Sequence, residues 1–194
     1  MKIRGLLIAT VAAAGMLGFS ASAMAADYAI VLKTLSNPFW VQMKDGIEAK
    51  AKELGVEVDI VASPSEEDFQ AQLQLFEDML NRDYKGFGFA PLSPVNLVNP
   101  AAAADKKGKP IDNIDEKVDM KALEAAGANV EAFVTTDNVK VGEKGAKFII
   151  DQLGAEGGEV AIVEGKAGNA SGQARHDGAK AAFEATSNVK LVAS

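Results

Sequence analysis

The 194-residue chain contains no cysteine and only one histidine. Disulfide frameworks, zinc sites built from cysteine and histidine, and Cys–His nucleophile pairs are therefore excluded. Aromatic residues make up only 6% of the chain, and 20 basic residues face 27 acidic ones, for a net charge of −7. Because nucleic-acid-binding surfaces are basic, no nucleic-acid partner is expected. With 48% hydrophobic and 24% charged residues, the composition is that of a globular protein.

Common catalytic motifs are also missing. No G-x-G-x-x-G motif follows the first apolar run, no G-x-S-x-G elbow occurs, and Lys166 in a glycine-rich stretch is not followed by serine or threonine. The sequence therefore does not support a dinucleotide site, a serine-hydrolase nucleophile or a P-loop. His176, the single histidine, lies in a polar helical segment without metal-binding spacing, and we expect it to be solvated. We predict neither a cofactor nor a metal.

The first 25 residues have the organisation of a secretory signal peptide. Two basic residues precede an apolar run over residues 6–19, and small residues follow up to Ala25. The run is short for a membrane span, which needs about 20 apolar residues. We predict cleavage after Ala25, with Ala23 as the alternative, and export to the periplasm. Residues 26–194 then carry 18 basic and 27 acidic residues, a net charge of −9.

Apolar, strand-like runs alternate with amphipathic helical segments along the rest of the chain. We predict strands over residues 28–33, 56–62, 86–90, 110–115, 130–135, 159–164 and 189–193. Two apolar stripes at helical spacing are Trp40, Met43, Ile47, Ala51 and Leu54, then Phe69, Leu73, Phe76 and Leu80. We predict further helices over residues 94–106, 139–153 and 172–186. This alternation indicates an α/β fold with a mainly parallel sheet covered on both faces.

Several local signals refine these helices. Asn37 or Ser36 can cap the first helix, and Gly55 suits its end. Pro100 is expected to kink or shorten the helix over residues 94–106. In the helix over residues 139–153, we expect four apolar residues to face inward: Val141, Phe148, Ile149 and Leu153. Residues 120–126 are interpreted as part of a polar connection.

Polar and small residues follow the predicted strands, at the edge where parallel sheets bind ligands. They include Lys33 to Asn37 after the first strand and Asp115 to Lys117 after the fourth. Phe39 and Trp40 are adjacent on a helix and point about 100° apart, so Trp40 belongs to the buried stripe and Phe39 to the cleft side. Flat apolar faces beside polar groups suit a sugar ring, although both aromatics could also be core.

Asp115 and Glu116 raise the alternative of acid–base catalysis. Neighbouring residues at a strand end point in opposite directions, so the two carboxylates are not expected to face one substrate. A carboxylate that accepts charge-assisted hydrogen bonds from sugar hydroxyls is the simpler role for Asp115. A surface ion pair with Lys117 or another lysine is the structural alternative.

Five stretches resemble the ribose-type periplasmic sugar-binding proteins of ABC importers: residues 33–48, 89–93, 133–138, 164–172 and 173–178. The resemblance implies an α/β, two-lobed periplasmic-binding-protein fold with Rossmann-like parallel sheets that enclose a monosaccharide. It implies an N-terminal sugar-binding lobe over residues 26–136 and a partial C-terminal lobe over residues 137–194, with a hinge crossing near Thr136. It further implies delivery of the sugar to the membrane permease of an ABC importer, and we expect a monomer at full length.

The resemblance also assigns roles to individual residues. It implies that Lys33 and Asn37 contact sugar hydroxyls, and that Phe39 and Trp40 stack on the ring. The remaining contacts that it implies are Asp115, Glu116, Asn169 and Arg175. Glu116 stands where the ribose binder has an arginine, as in the allose type, which favours a hexose over ribose.

Two features depart from the family pattern. Asp112 falls in a strand that the family keeps apolar, where an unpaired buried carboxylate would cost several kcal/mol. Family members also continue well beyond Ser194, so we expect the second lobe to be incomplete. The missing part would supply another stacking aromatic, further hydroxyl partners and two hinge crossings.

Two other function classes remain as alternatives to a binding protein. One is an enzyme that uses Asp115 as an acid or base on a sugar. The other is a sugar-responsive repressor, which shares the two-lobed fold but requires an N-terminal helix-turn-helix where this chain has a signal-like segment.

Overall fold

Seven strands form two parallel sheets in the computed structural model, which describes residues 26–194. The predicted signal peptide lies outside the described residues. The five-stranded sheet has the order β2-β1-β3-β4-β5 and consists of β1 (Tyr28–Thr34), β2 (Val58–Ser63), β3 (Gly86–Phe89), β4 (Ile111–Ile114) and β5 (Ala132–Val134). The two-stranded sheet pairs β6 (Gly158–Ala161) with β7 (Val189–Ala193). The parallel α/β architecture predicted from the alternation is therefore confirmed.

Six α-helices connect these strands. They are α1 (Pro38–Leu54), α2 (Phe69–Met79), α3 (Val98–Lys106), α4 (Met120–Ala125), α5 (Asn138–Leu153) and α6 (Ala170–Glu184), and a short 3-10 turn follows α5 at Gly154–Glu156. We call the five-stranded sheet with α1–α4 the first unit, and the two-stranded sheet with α5 and α6 the second unit. Residues 135–137 join the two units between β5 and α5.

Local sequence signals explain most of the helix ends. Asn37 caps α1 by accepting a hydrogen bond from the Phe39 backbone N–H, and Gly55 ends the helix at φ +67°. Helix α3 begins only at Val98, so Pro100 falls in its first turn, where a missing N–H costs little. The interpretation of residues 120–126 as a polar connection is wrong, because Asp119 caps a short helix there. Leu54, the last residue of the first predicted stripe, is exposed.

The core of the first unit lies on both faces of its sheet. Phe76 and Phe89 pack with α2, α3 and α4 on one face, and Trp40 of α1 packs against Leu32 on the other. Strand β1 lies between β2 and β3. The chain therefore passes from β1 to β2 on one side and then crosses to β3 on the other side of β1. In such sheets the carboxyl ends of the strands at this reversal form a crevice for ligands.

Asp112 lies on an exposed face of β4 and not in the core. Ile111 and Asn113 on either side of it are buried, whereas Asp112 is exposed. The expectation that this residue would place a costly carboxylate inside the protein is therefore wrong. Strand alternation explains the difference, because successive side chains point to opposite faces of the sheet.

Helices α5 and α6 pack closely through glycines, and this contact contradicts the predicted inward face of α5. A Cβ atom at Gly142 would collide with the Arg175 backbone, and one at Gly178 would collide with the Val139 backbone. The buried residues of α5 are Asn138, Gly142 and Ala146. Three of the four residues predicted to face inward, Val141, Phe148 and Ile149, are exposed.

None of the helices within residues 26–194 is long and apolar enough to cross a lipid bilayer.

We predict that Gly142→Ala lowers the free energy of unfolding by about 1–3 kcal/mol, because the added methyl group must push α5 and α6 apart. Gly145→Ala is the matched control on the same helix, since a Cβ there meets no atom within 4 Å. It should leave stability unchanged or raise it by about 0.5–1 kcal/mol, because alanine favours the helix. Urea denaturation followed by circular dichroism measures both variants. Equal stability of the two variants would contradict the close glycine contact.

We also predict that the chain associates through the exposed apolar face of the second unit. Val163 is 96% exposed and Ile149 is 42% exposed. Exposed apolar patches of this kind promote association. Ile149→Ser combined with Val163→Ser should lower the apparent mass in sedimentation velocity at high protein concentration. Leu54→Ser is the control, because Leu54 is also apolar and exposed, at 62%, but lies on α1. A monomer at all concentrations would contradict this prediction.

Candidate functional site

A cavity of about 1040 Å³ lies at the carboxyl ends of the first sheet, between the two units. All eight residues singled out from the sequence line it: Lys33, Asn37, Phe39, Trp40, Asp115, Glu116, Asn169 and Arg175. Residues more than 130 positions apart in the chain therefore meet around one space. Its volume is at the upper end of the range for small-molecule sites, about 300–1,000 Å³.

Lys33 brings a positive charge to the buried floor of this cavity. It is the sixth residue of β1, its side chain is only 6% exposed, and its Nζ lies 3.4 Å from Glu116 Oε2 and 3.6 Å from Asp115 Oδ2. The ammonium also lies 5.6 Å from the centre of the Trp40 ring. Since an isolated buried charge is costly, the two carboxylates are what allow a lysine to occupy this position.

Asp115 adopts a backbone conformation that is rare for residues other than glycine. Its φ is +60°, the only positive value among the described non-glycine residues. This left-handed turn breaks the strand alternation, so Asp115 and Glu116 both line the cavity, contrary to the expectation that they point apart. Strained residues of this kind persist where their surroundings hold them in place.

Hydrogen bonds with the Asn113 side chain stabilise this turn. Asn113 is fully buried, donates from Nδ2 to the Glu116 carbonyl at 2.8 Å, and accepts from the Val118 backbone N–H at 2.8 Å. On the other side, the Asp115 carbonyl accepts from the Thr135 hydroxyl at 2.8 Å. The orientation of the Asp115 side chain is therefore fixed by groups that do not themselves reach the cavity.

Burial raises the pKa of the Asp115 carboxyl above its ordinary value. Lys33 opposes this shift by favouring the charged carboxylate, whereas the nearby negative charge of Glu116 adds to it. Asp115 thus pairs with a buried lysine and not with Lys117, whose ammonium lies over the Phe133 ring. A partly desolvated carboxylate is a strong hydrogen-bond acceptor for hydroxyl groups.

Glu116 is almost completely enclosed, with its side chain 1% exposed. Its Oε2 accepts from Asn169 Nδ2 at 2.5 Å, and its Oε1 accepts from the Ala170 backbone N–H at 2.8 Å. Asn169 and Ala170 stand at the start of α6, so this carboxylate of the first unit lies at a helix N-terminus of the second. Helix N-termini favour negative charge.

The two aromatic residues occupy different environments. Phe39 is 45% exposed and offers an open ring, whereas Trp40 is only 2% exposed. Their rings meet edge to face, with centroids 4.9 Å apart. Trp40 also donates from Nε1 to Glu66 Oε1 at 3.3 Å. The sequence-based separation of a buried Trp40 from a cleft-side Phe39 therefore agrees with the structure.

Arg175 supplies the cationic group of the second unit. Its Nη1 donates to Asn138 Oδ1 at 2.6 Å, and Asn138 in turn donates to the Thr136 carbonyl at 3.0 Å. Sequence analysis did not select Asn138 as a site residue. Its position at the start of α5, four residues after the end of β5, was the signal that could have identified it.

The prediction that His176 is solvated is wrong. Its side chain is 12% exposed and lines the cavity, with ring nitrogens 3.0 Å from Asp177 Oδ1 and 3.4 Å from Glu164 Oε1. The contact with Glu164 comes from the segment after β6, which a helical pattern alone cannot reveal. Within residues 26–194, no cluster of three or more acidic or histidine side chains is suitable for a metal ion.

The cavity has a polar end and an apolar end. Lys33, Asp115 and Arg175 mark the polar end, beside the exposed ring of Phe39. The apolar end continues over the second unit and is lined by Val141, Ile149, Ala161, Val163 and Phe183. Only the polar end combines an open aromatic face with charged hydrogen-bonding groups, so we take it as the candidate binding site.

Two known proteins are similar to this chain in sequence. The chain is 71% identical to the D-allose-binding periplasmic protein of Escherichia coli, over 92% of this chain and 57% of that protein. It is 34% identical to the ribose import binding protein of Haemophilus influenzae, over 87% of this chain and 55% of that protein.

A solved structure is also similar. It is an ABC transporter periplasmic solute-binding protein of Actinobacillus succinogenes with bound D-allose, with 31% identity and a TM-score of 0.78, covering 86% of this chain and 57% of that one. The chain thus spans little more than half the length of these relatives, and the second lobe of the fold is incomplete in it. The family described as periplasmic binding protein domain matches residues 28–194, and the chain belongs to this family.

Proposed function

We propose that this chain is part of a periplasmic solute-binding protein that captures a monosaccharide, a hexose of the D-allose type, and delivers it to the permease of an ABC importer. The observation that carries the proposal is the polar end of the cavity. There, Lys33 and Asp115 form a partly buried ion pair next to the exposed ring of Phe39. Charged acceptors and donors beside a flat apolar face suit the hydroxylated rim and the apolar face of a sugar ring.

The proposed contacts come from polar side chains that line the cavity. Lys33, Asn37 and Asp115 contact hydroxyls from the first unit, and Arg175 contacts them from the second. Phe39 stacks on the ring, and the enclosed Trp40 supports Phe39 from below. The 71% identity to the Escherichia coli D-allose-binding periplasmic protein supports a hexose ligand.

The proposed lobes are residues 26–136 and residues 137–194, with residues 1–25 as a cleaved signal peptide. This division places the five-stranded sheet in the first lobe and the connection after β5 at the hinge. Two of the relatives are named as periplasmic proteins, which supports export. We expect the full-length protein to be a monomer.

The relatives are named as binding proteins, so the alternative in which Asp115 acts as an acid or base on a sugar gains no support from them. The buried ion pair with Lys33 also argues for a fixed hydrogen-bonding role, because it stabilises one charge state of the carboxylate.

We predict that the purified chain binds D-allose at least 100-fold more weakly than the Escherichia coli protein, because it spans only 57% of that protein's length. Asp115→Ala should abolish the remaining binding, since losing a charged acceptor costs about 2–4 kcal/mol. Titration of the ¹⁵N-labelled chain with D-allose, followed by NMR chemical shifts, measures both effects.

Asp112→Ala is the matched control, because Asp112 is an exposed carboxylate three residues before Asp115 on the same strand and turn. It should leave the D-allose shifts unchanged. Equal binding by the two alanine variants would contradict the proposed role of Asp115, and no D-allose shifts in the unmodified chain would contradict a sugar site in this chain.

We further predict that export removes residues 1–25. Expression in a Gram-negative host, periplasmic extraction and intact-mass measurement should give a chain that begins at Ala26. A chain beginning at Met24 would indicate the alternative cleavage after Ala23. A chain produced without residues 1–25 is the control and should stay in the cytoplasm. Recovery of periplasmic protein that still begins at Met1 would contradict the prediction.

A further inference from the structure

Two of the eight predicted site residues, Glu116 and Asn169, are hydrogen-bonded to each other. Both carboxylate oxygens of Glu116 accept hydrogen bonds, Oε2 from Asn169 Nδ2 at 2.5 Å and Oε1 from the Ala170 backbone N–H at 2.8 Å. Lys33 Nζ lies 3.4 Å from the same Oε2. With its side chain only 1% exposed, Glu116 presents no free acceptor surface to a ligand.

Both polar atoms of the Asn169 side chain are also hydrogen-bonded. Its Oδ1 accepts from the Gly172 backbone N–H at 2.6 Å and so caps α6, while its Nδ2 donates to Glu116. One amide side chain therefore orients the first turn of α6 and bonds to the first unit at the same time. The carboxylate it meets also lies where the positive end of the helix dipole favours an anion.

These contacts cross between the two units, which residues 135–137 alone connect along the described chain. Away from that connection, the other polar cross-link among residues 26–194 is made by Lys166. Its Nζ donates to the Glu66 carbonyl at 3.2 Å, lies 3.9 Å from Glu67 Oε1 and lies 5.1 Å from the centre of the Phe69 ring. The Lys166 side chain is 45% exposed and that of Glu67 is 74% exposed, and exposed ion pairs contribute little. The enclosed Glu116 contacts are therefore the stronger of the two cross-links.

We infer that Glu116 is a clasp that holds the two units together across the cleft, acting with Asn169 as a positioning residue and not as a ligand contact. The clasp rests on the geometry alone, and its effect on sugar binding rests on the proposed function. The two neighbouring carboxylates therefore have different roles. The Asp115 side chain is 16% exposed and can contact a ligand, whereas the Glu116 side chain is only 1% exposed and cannot.

The distance between the units, measured without sugar, tests the clasp. Because the chain has no cysteine, Gln70→Cys on α2 and Gln152→Cys on α5, both exposed, give a unique pair of spin-label sites. Glu116→Gln places an amide N–H₂ group among the donors of Lys33, Asn169 and Ala170. Double electron–electron resonance should then show a longer and broader distance distribution than in the chain that keeps Glu116.

Glu124→Gln is the matched control, because it removes one negative charge from an exposed position on α4. It should leave the distance distribution unchanged. Circular dichroism of each variant establishes that the helices remain folded.

Asn169→Asp is an independent second variant. It keeps an acceptor for the Gly172 N–H, so α6 stays capped, but it sets an acceptor against Glu116 and should also lengthen the distance. Combining Glu116→Gln with Asn169→Asp restores one donor and one acceptor, and the distance should return toward that of the unmodified chain. Such a rescue is the coupling that a double-mutant cycle detects.

D-allose titrations of the same variants separate the clasp from the proposed function. Each single variant should weaken apparent affinity about tenfold, because fewer molecules have the units closed, and the double variant should recover it. Distances unchanged in both single variants, or weakened binding without rescue, would overturn the clasp. If the unmodified chain does not bind D-allose, the proposed function fails, while the distance measurements still decide on the clasp.

Discussion

The buried ion cluster of Lys33, Asp115 and Glu116 is the constraint on which the rest of this structure depends. Three charges are withdrawn from water at the carboxyl end of the first sheet, and desolvating each of them costs several kcal/mol before pairing is counted. The cost is offset because each charge meets an opposite charge or a directed hydrogen bond. The strand β1, the turn after β4 and the start of α6 must therefore keep their relative positions.

Buried amides provide the rigid support for this cluster. Asn113 forms hydrogen bonds with the backbone of the turn that carries Asp115 and Glu116. Gln72 forms hydrogen bonds with other segments that border the cleft. It donates to the Leu32 and Ala90 carbonyls. It accepts from the Leu92 N–H and from Asn96 Nδ2. All four hydrogen-bonding positions of this fully buried side chain are used, which explains why a polar residue is tolerated on the buried face of α2, beside Phe76 and Met79.

The second unit is organised differently, by close backbone contact and not by charge. Gly142 and Gly178 let α5 and α6 approach so nearly that no side chain fits between them. Two bulky apolar residues of α5, Phe148 and Ile149, are exposed, whereas Ile150 and Leu153 pack with Phe183 of α6. Helix α6, which is capped by Asn169 and carries Arg175, thus packs on small residues of α5. An apolar face of the second unit remains exposed beside the cavity.

Local sequence patterns determined much of this protein. Strand periodicity, the Asn37 cap and the Gly55 helix end were sufficient to predict the parallel α/β order, because each depends on residues close together in the chain. The rule that ligands bind at the carboxyl ends of parallel strands, together with the family resemblance, selected eight residues, and all eight line the cavity.

Only the tertiary structure decided how those residues divide their roles. The left-handed turn at Asp115 places two adjacent carboxylates in one cavity, which strand alternation does not predict. The inward face of α5, the enclosure of His176 by Glu164 and the exposure of Asp112 depend likewise on which elements pack together. The commitment of Glu116 to α6 joins residues more than 50 positions apart, and no local pattern carries that information because the contact forms only when the two units meet.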